Sequence, residues 1–202
     1  MFNLPILAYG ITHLTDARYF AAWHPDYLCF PLGDAGLTPD YFLAIREWVE
    51  GPVCVAELGA DAGANFPPDV LHERGITHVM LDHGSSYVAG SDLTVLTRIP
   101  VAGYQSAADV AEQLGEVAGT VVLDFTDGGI TWSDLLEGHP FTADMLQAMT
   151  GDRQAYLRID LTPDDVAQAR QLLPGLAFRG SSEEKVGYKS FDELDGLFDV
   201  LV

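Results

Sequence analysis

The sequence predicts a (β/α)8 barrel in one domain spanning residues 1–202. Short apolar runs alternate with helix-start signals at a spacing of about 25 residues per unit, as in a barrel of eight strand–helix units. Hydrophobic content of 48% across 202 residues is enough for one full-sized core. No linker-like or low-complexity stretch divides the chain.

The clearest unit is Thr120–Trp132, T-V-V-L-D-F-T-D-G-G-I-T-W. Val121–Leu123 read as a strand buried on both faces, Asp124 closes it, and Gly128-Gly129 turn the chain into a helix opened by Trp132-Ser133-Asp134. A carboxylate at the end of a buried strand is where α/β folds place their chemistry, although Asp124 in this setting also suits a turn cap. In chain order, the other expected strands are Leu4–Tyr9, Tyr27–Phe30, Val53–Ala56, His78–Leu81, Ile99–Gly103, Ala155–Ile159 and Leu176–Phe178. Thr15-Asp16, Thr38-Pro39-Asp40, Pro67-Pro68-Asp69, Ser106–Asp109, Thr162-Pro163-Asp164 and Ser190–Asp192 each open a helix with a side-chain cap, a proline in the first turn or an early acid. A second helical stretch runs from Thr142 to Met149, and Ser85–Leu96 reads as a poorly formed helix.

Thirty acidic against ten basic residues give a formal charge of −20, which argues against nucleic acid and anionic membranes as partners. The acids are spread along the whole chain, as in a salt-adapted or highly soluble surface. No apolar run is long enough to span a membrane and the first residues lack a signal-peptide pattern, so the expected location is the cytoplasm. Cys29 and Cys54 lie in apolar strands and read as reduced core residues.

Four stretches carry a family resemblance. Leu7-Ala8-Tyr9-Gly10-Ile11-Thr12 with Asp16-Ala17 is similar to the K-x-C-G-I-T…D-A opening of phosphoribosylanthranilate isomerase, a tryptophan-biosynthesis enzyme. Asp124 with Gly128-Gly129 resembles its L-D…G-G-T-G stretch, Leu161–Val166 its G-G-L-x-P-x-N-V stretch, and Val186–Ser190 its closing P-G-x-K-D. The resemblance implies a barrel performing an Amadori rearrangement by general acid–base chemistry, with a cysteine base, an aspartate acid and a substrate anchored by phosphate and carboxylate. Asp124 stands at the acid position. Tyr9 stands at the base position, Asp34-Ala35 lies where the family carries an arginine, and Ile159-Asp160 replaces a phosphate-binding glycine pair. The implied reading is a divergent isomerase by descent, with the usual site largely lost. A pseudoenzyme that binds a small molecule or serves as an interaction protein is the alternative.

The expected strand ends supply the mouth: Tyr9, Phe30, Glu57, Asp82, His83, Tyr104, Gln105, Asp124, Arg158, Asp160 and Arg179. Three arrangements compete there. In a remodelled catalytic site, Asp124 serves as acid or base and Tyr9 as proton donor. In a divalent-metal site, Glu57, Asp82, Asp124 and Asp160 are the ligands, with His83 optional. In a rigid rim, Arg158 and Arg179 neutralise the acids. Gly128, Gly129, Arg179, Gly180 and Ser181 are the candidate phosphate contacts. No cofactor is expected. The expected ligand is a small sugar-phosphate-like molecule, and the expected assembly a monomer or homodimer. The remaining histidines, His13, His24, His72, His78 and His139, read as surface or helix-end residues.

Overall fold

The computed structural model describes residues 4–33, 36–59, 65–180 and 190–201. Eight parallel strands close into a barrel in sequence order. They are β1 (Ile6–Tyr9), β2 (Tyr27–Leu32), β3 (Val53–Leu58), β4 (His78–Asp82), β5 (Thr94–Pro100), β6 (Val121–Asp124), β7 (Ala155–Arg158) and β8 (Leu176–Arg179). The helices are α1 (Leu14–Ala22), α2 (Pro39–Arg46), α3 (Pro68–Glu73), α4 (Ala107–Glu116), α5 (Trp132–Glu137), α6 (Ala143–Thr150), α7 (Pro163–Leu172) and α8 (Asp192–Leu201).

Alternation along each strand divides the core in two. Outward side chains meet the helices in the larger layer, which includes Phe30 against Phe42 and Phe178 against Phe198. Inward side chains fill the barrel with one residue per strand: Leu7, Cys29, Val55, Met80, Leu96, Val122, Tyr156 and Ala177. Both cysteines are free thiols; Cys29 lies in the barrel interior, where burial pushes its pKa up.

Three helix starts carry a full capping motif, whereas α1 begins earlier than expected, at Leu14 rather than after Thr15-Asp16, with no side-chain cap. Ser106, Thr131 and Thr162 each accept a hydrogen bond from the backbone N–H three residues on. The acids Asp109, Asp134 and Asp165 return the bond, completing three capping boxes that fix where helices leave the strand ends.

Two further expectations are corrected. Ser85–Leu96 forms no helix: residues 83–93 run as turn and loop directly into β5. Strand β5 therefore begins five residues earlier than expected, at Thr94 rather than Ile99, and ends at Pro100. Thr94, Thr97 and Arg98 break the apolar run of Val95, Leu96 and Ile99 without a regular period, and the inward position near the mouth, Arg98, is charged rather than apolar, which hides the strand.

Candidate functional site at the barrel mouth

Moving two residues toward the C-terminal end from each inward core residue gives the next inward layer. It consists of Tyr9, Pro31, Glu57, Asp82, Arg98, Asp124, Arg158 and Arg179. Three carboxylates and three guanidinium groups therefore line the mouth, and their charges cancel inside a chain of formal charge −20. Phe30, expected at the rim, is one residue out of phase and fully buried among the helices.

Asp124 is the hub. Its side chain is 2% exposed, and both oxygens are occupied. Oδ1 accepts from the Thr126 hydroxyl at 2.6 Å and the Thr126 N–H at 3.1 Å; Oδ2 accepts from Arg98 Nη1 at 3.3 Å and Arg158 Nη1 at 3.4 Å. One carboxylate thus caps the turn after β6 and joins two arginines at the mouth.

Arg98 was missed by sequence reasoning because β5 was placed too late. It forks onto Asp82 with Nε–Oδ1 at 2.6 Å and Nη2–Oδ2 at 2.9 Å, a bidentate geometry that holds both groups. The Asp82 hydrogen bonds are the chief reason its pKa is raised. Arg158, 3% exposed, donates to Glu57 and Asp124 and lies against the Met80 sulfur. Burial acts to lower its pKa, but the Glu57 and Asp124 charges outweigh this and the net shift is upward. Its Nε is buried without a hydrogen-bond partner.

The Arg158 guanidinium sits 4.1 Å above the centroid of the Tyr9 ring, a cation–π contact. Burial pushes the Tyr9 phenol up to about 12, an effect that Arg158 opposes and Asp124 and Asp160 reinforce. Tyr9 is thus a protonated donor at neutral pH.

Beside this network lies a cavity of about 870 Å³ between the ends of β1, β7 and β8 and the start of α8. Tyr9, Asp160, Arg179, Gly180 and Glu193 are among its walls. The expected phosphate contacts divide here. Arg179 and Gly180 line the cavity, whereas Gly128 and Gly129 do not, and Ser181 lies outside the described residues. The glycine pair has a backbone reason instead. A Cβ at Gly128 would fall 2.3 Å from the Val101 carbonyl oxygen, and Gly129 has φ +64°.

Other expected rim residues lie elsewhere. His83 belongs to the barrel's outer side, with Nε2 3.0 Å from Glu116 Oε2 in a small groove walled by Leu81, Val95 and Thr97. Tyr104 is 91% exposed in the turn after β5, and Gln105 accepts from the Ala102 N–H at 2.7 Å. Glu57, Asp82 and Asp124 each pair with an arginine, and among the described residues no group of three or more His, Cys, Asp or Glu is placed to hold a metal ion. Asp34-Ala35 lies outside the described residues, as do residues 186–189 of the closing motif. No helix among the described residues is long and apolar enough to cross a membrane.

No family model matches the sequence, and no curated protein sequence matches it. Solved structures do. The phosphoribosylanthranilate isomerase of Thermus thermophilus superposes with a TM-score of 0.70 at 20% identity, over 98% of each chain. The TrpF protein of Jonesia denitrificans gives 0.71 at 17% identity, over 98% of this chain and 96% of that one. Thiamine phosphate pyrophosphorylase from Pyrococcus furiosus gives 0.60 at 10% identity, over 98% and 95%. The likeness is one of fold, the (β/α)8 barrel of phosphoribosylanthranilate isomerase, and barrels of this shape host more than one reaction.

Proposed function

We propose that this protein descends from a sugar-phosphate isomerase of the phosphoribosylanthranilate isomerase type and handles a small molecule at its barrel mouth, without performing the family's Amadori rearrangement at a useful rate. The observation that carries this reading is Tyr9. It occupies the position where the resemblance calls for a thiolate base, and its phenol is held protonated by burial, with a pKa near 12, beneath the Arg158 guanidinium. A general base works best with a pKa close to the operating pH, so Tyr9 can donate a proton or a hydrogen bond but is a poor acceptor.

The acid position gives further support. Asp124 accepts four hydrogen bonds, two of them from arginines that also grip Asp82 and Glu57. Donating a proton from this carboxyl would require one of those donors to move aside. The mouth is built as a fixed, charge-balanced floor, with the open cavity and the Tyr9 hydroxyl as the parts free to meet a ligand. The same reading places the protein in the cytoplasm as a monomer or homodimer.

Complementation tests it. The gene should fail to restore growth of a tryptophan auxotroph lacking the isomerase, and Tyr9→Cys alone should fail too, because Asp160 still replaces the phosphate glycine. Growth on minimal medium with the wild-type gene would overturn the proposal.

A further inference from the structure

The cavity beside Tyr9 has an unusual charge arrangement. Of the three arginines in the inward mouth layer, Arg98 and Arg158 are engaged by Asp82, Asp124 and Glu57. Arg179 forms no ion pair or hydrogen bond through its side chain with any described residue, and it lines the cavity. The register accounts for its neighbours. Tyr9 pairs with Arg179 across β1 and β8, while Arg158 pairs with Ala177 across β7 and β8. Asp160 follows the end of β7 by two residues, as Arg179 follows Ala177 on β8, and both line the cavity. Asp160 also faces the cavity without a side-chain partner among the described residues, as does Glu193 from the first turn of α8.

Among the described residues, one unengaged guanidinium and three unengaged carboxylates, those of Asp160, Asp192 and Glu193, therefore line one cavity with Tyr9. A phosphate dianion drawn to Arg179 would meet Asp160, Asp192 and Glu193 in the same space. Opposite charges presented side by side match a ligand that carries both signs. We propose that the cavity takes a small zwitterion, with its carboxylate on Arg179 and its ammonium on Asp160 and Glu193. The volume of about 870 Å³ leaves room for a substituent beyond the two charged groups. The inference rests on the reading of the mouth as a small-molecule site and specifies the ligand's charge pattern, replacing the sugar phosphate expected from family resemblance.

The test is ligand-observed NMR followed by calorimetry on the full chain, with three probe classes: the common α-amino acids, their N-acetyl derivatives and ribose 5-phosphate. At least one α-amino acid should bind, and its N-acetyl derivative, which keeps the carboxylate and loses the ammonium, should bind about tenfold more weakly or not at all. Asp160→Asn and Arg179→Gln should each weaken the amino acid by about tenfold, while Asp69→Asn, on remote α3, should leave it unchanged. Asp160 and Arg179 are exposed, so melting temperatures of their variants should match wild type and exclude misfolding as the cause. Binding by no amino acid, equal binding after N-acetylation, or tighter binding of ribose 5-phosphate would each overturn the inference. Tighter binding of ribose 5-phosphate without complementation would sink the zwitterion while leaving the proposed loss of isomerase activity intact.

Discussion

The two ends of the barrel solve the problem of burying polar groups in opposite ways. At the C-terminal mouth the inward layer is ionic, with Glu57, Asp82 and Asp124 interlocked with Arg98 and Arg158. At the N-terminal end the closure has no ion pair among the described residues and is made of separate hydrogen bonds around the Asp26 carboxylate and the Gln154 amide. The Tyr156 hydroxyl reaches down from the core to Asp26 Oδ2 at 2.9 Å and accepts from Gln154 Nε2 at 2.8 Å. Asp26 also accepts from the Ile6 N–H at 3.0 Å, which ties the start of β1 to the loop before β2. Gln154 accepts in turn from the Thr120 hydroxyl at 3.1 Å. The base joins chain segments by single bonds that can be removed one at a time. The mouth is a network in which each charge depends on another, so losing one member strands its partners.

That difference sets the size of the first expected effect. Arg158→Met removes a buried cation and leaves Glu57 without its partner and Asp124 with only Arg98. The loss should be about 3–5 kcal/mol, read as a fall in the urea midpoint with an unchanged slope. Adding Glu57→Gln to the same chain should return part of it, since one uncompensated charge is then gone. A loss below about 1 kcal/mol would show that the mouth charges are solvated well enough to stand alone, and the contrast between the ends would disappear.

A smaller effect is expected at the base. Tyr156→Phe keeps the ring, its edge contact with Tyr27 and its packing inside the barrel, and removes only the hydroxyl. Asp26 retains the Ile6 N–H and Gln154 retains Thr120, so the cost should be about 1–2 kcal/mol by the same urea measurement. A cost equal to that of Arg158→Met would mean that the base is as cooperative as the mouth.

Much of this architecture was legible in the sequence, and the exceptions share a cause. Seven strands were placed close to their observed positions because β-branched, apolar runs such as Val121–Leu123 declare themselves. The inward mouth residues Tyr9, Glu57, Asp82, Asp124, Arg158 and Arg179 followed directly as strand ends. Arg98 did not, because the strand that carries it is interrupted by polar residues. A rule that expects buried strands to be apolar fails where an inward position reaches a charged mouth. The pairing pattern was equally out of reach, since which arginine meets which acid depends on strands far apart in sequence, as with Glu57 and Arg158. His83 shows the reverse error. It follows Asp82 directly, but alternation turns it to the outer side, where Glu116 waits on α4.

The smallest expected effect isolates the part of the mouth that stands outside the ionic network. The Tyr9 hydroxyl has no hydrogen-bond partner among the described residues, and a phenylalanine ring would still lie under Arg158. At pH 7, Tyr9→Phe should therefore change stability by no more than about 0.5 kcal/mol. Alkaline solution should separate the two proteins. Burial raises the Tyr9 pKa from the ordinary 10 to about 12, so the folded chain holds this proton more tightly than the unfolded chain does. The resulting stabilisation is fully present below pH 10 and is lost as the pH rises from 10 through 12, while the unfolded phenol ionises and the folded one does not. Other groups titrate in the same window, but they are common to both chains and cancel in the difference. Between pH 9 and pH 11.5 the urea midpoint of the wild type should fall further than that of Tyr9→Phe, and absorbance near 295 nm should show one fewer late-ionising tyrosine in the variant. Parallel curves would mean that the Tyr9 phenol ionises as freely folded as unfolded, and the rise of its pKa by burial at the mouth would have to be abandoned.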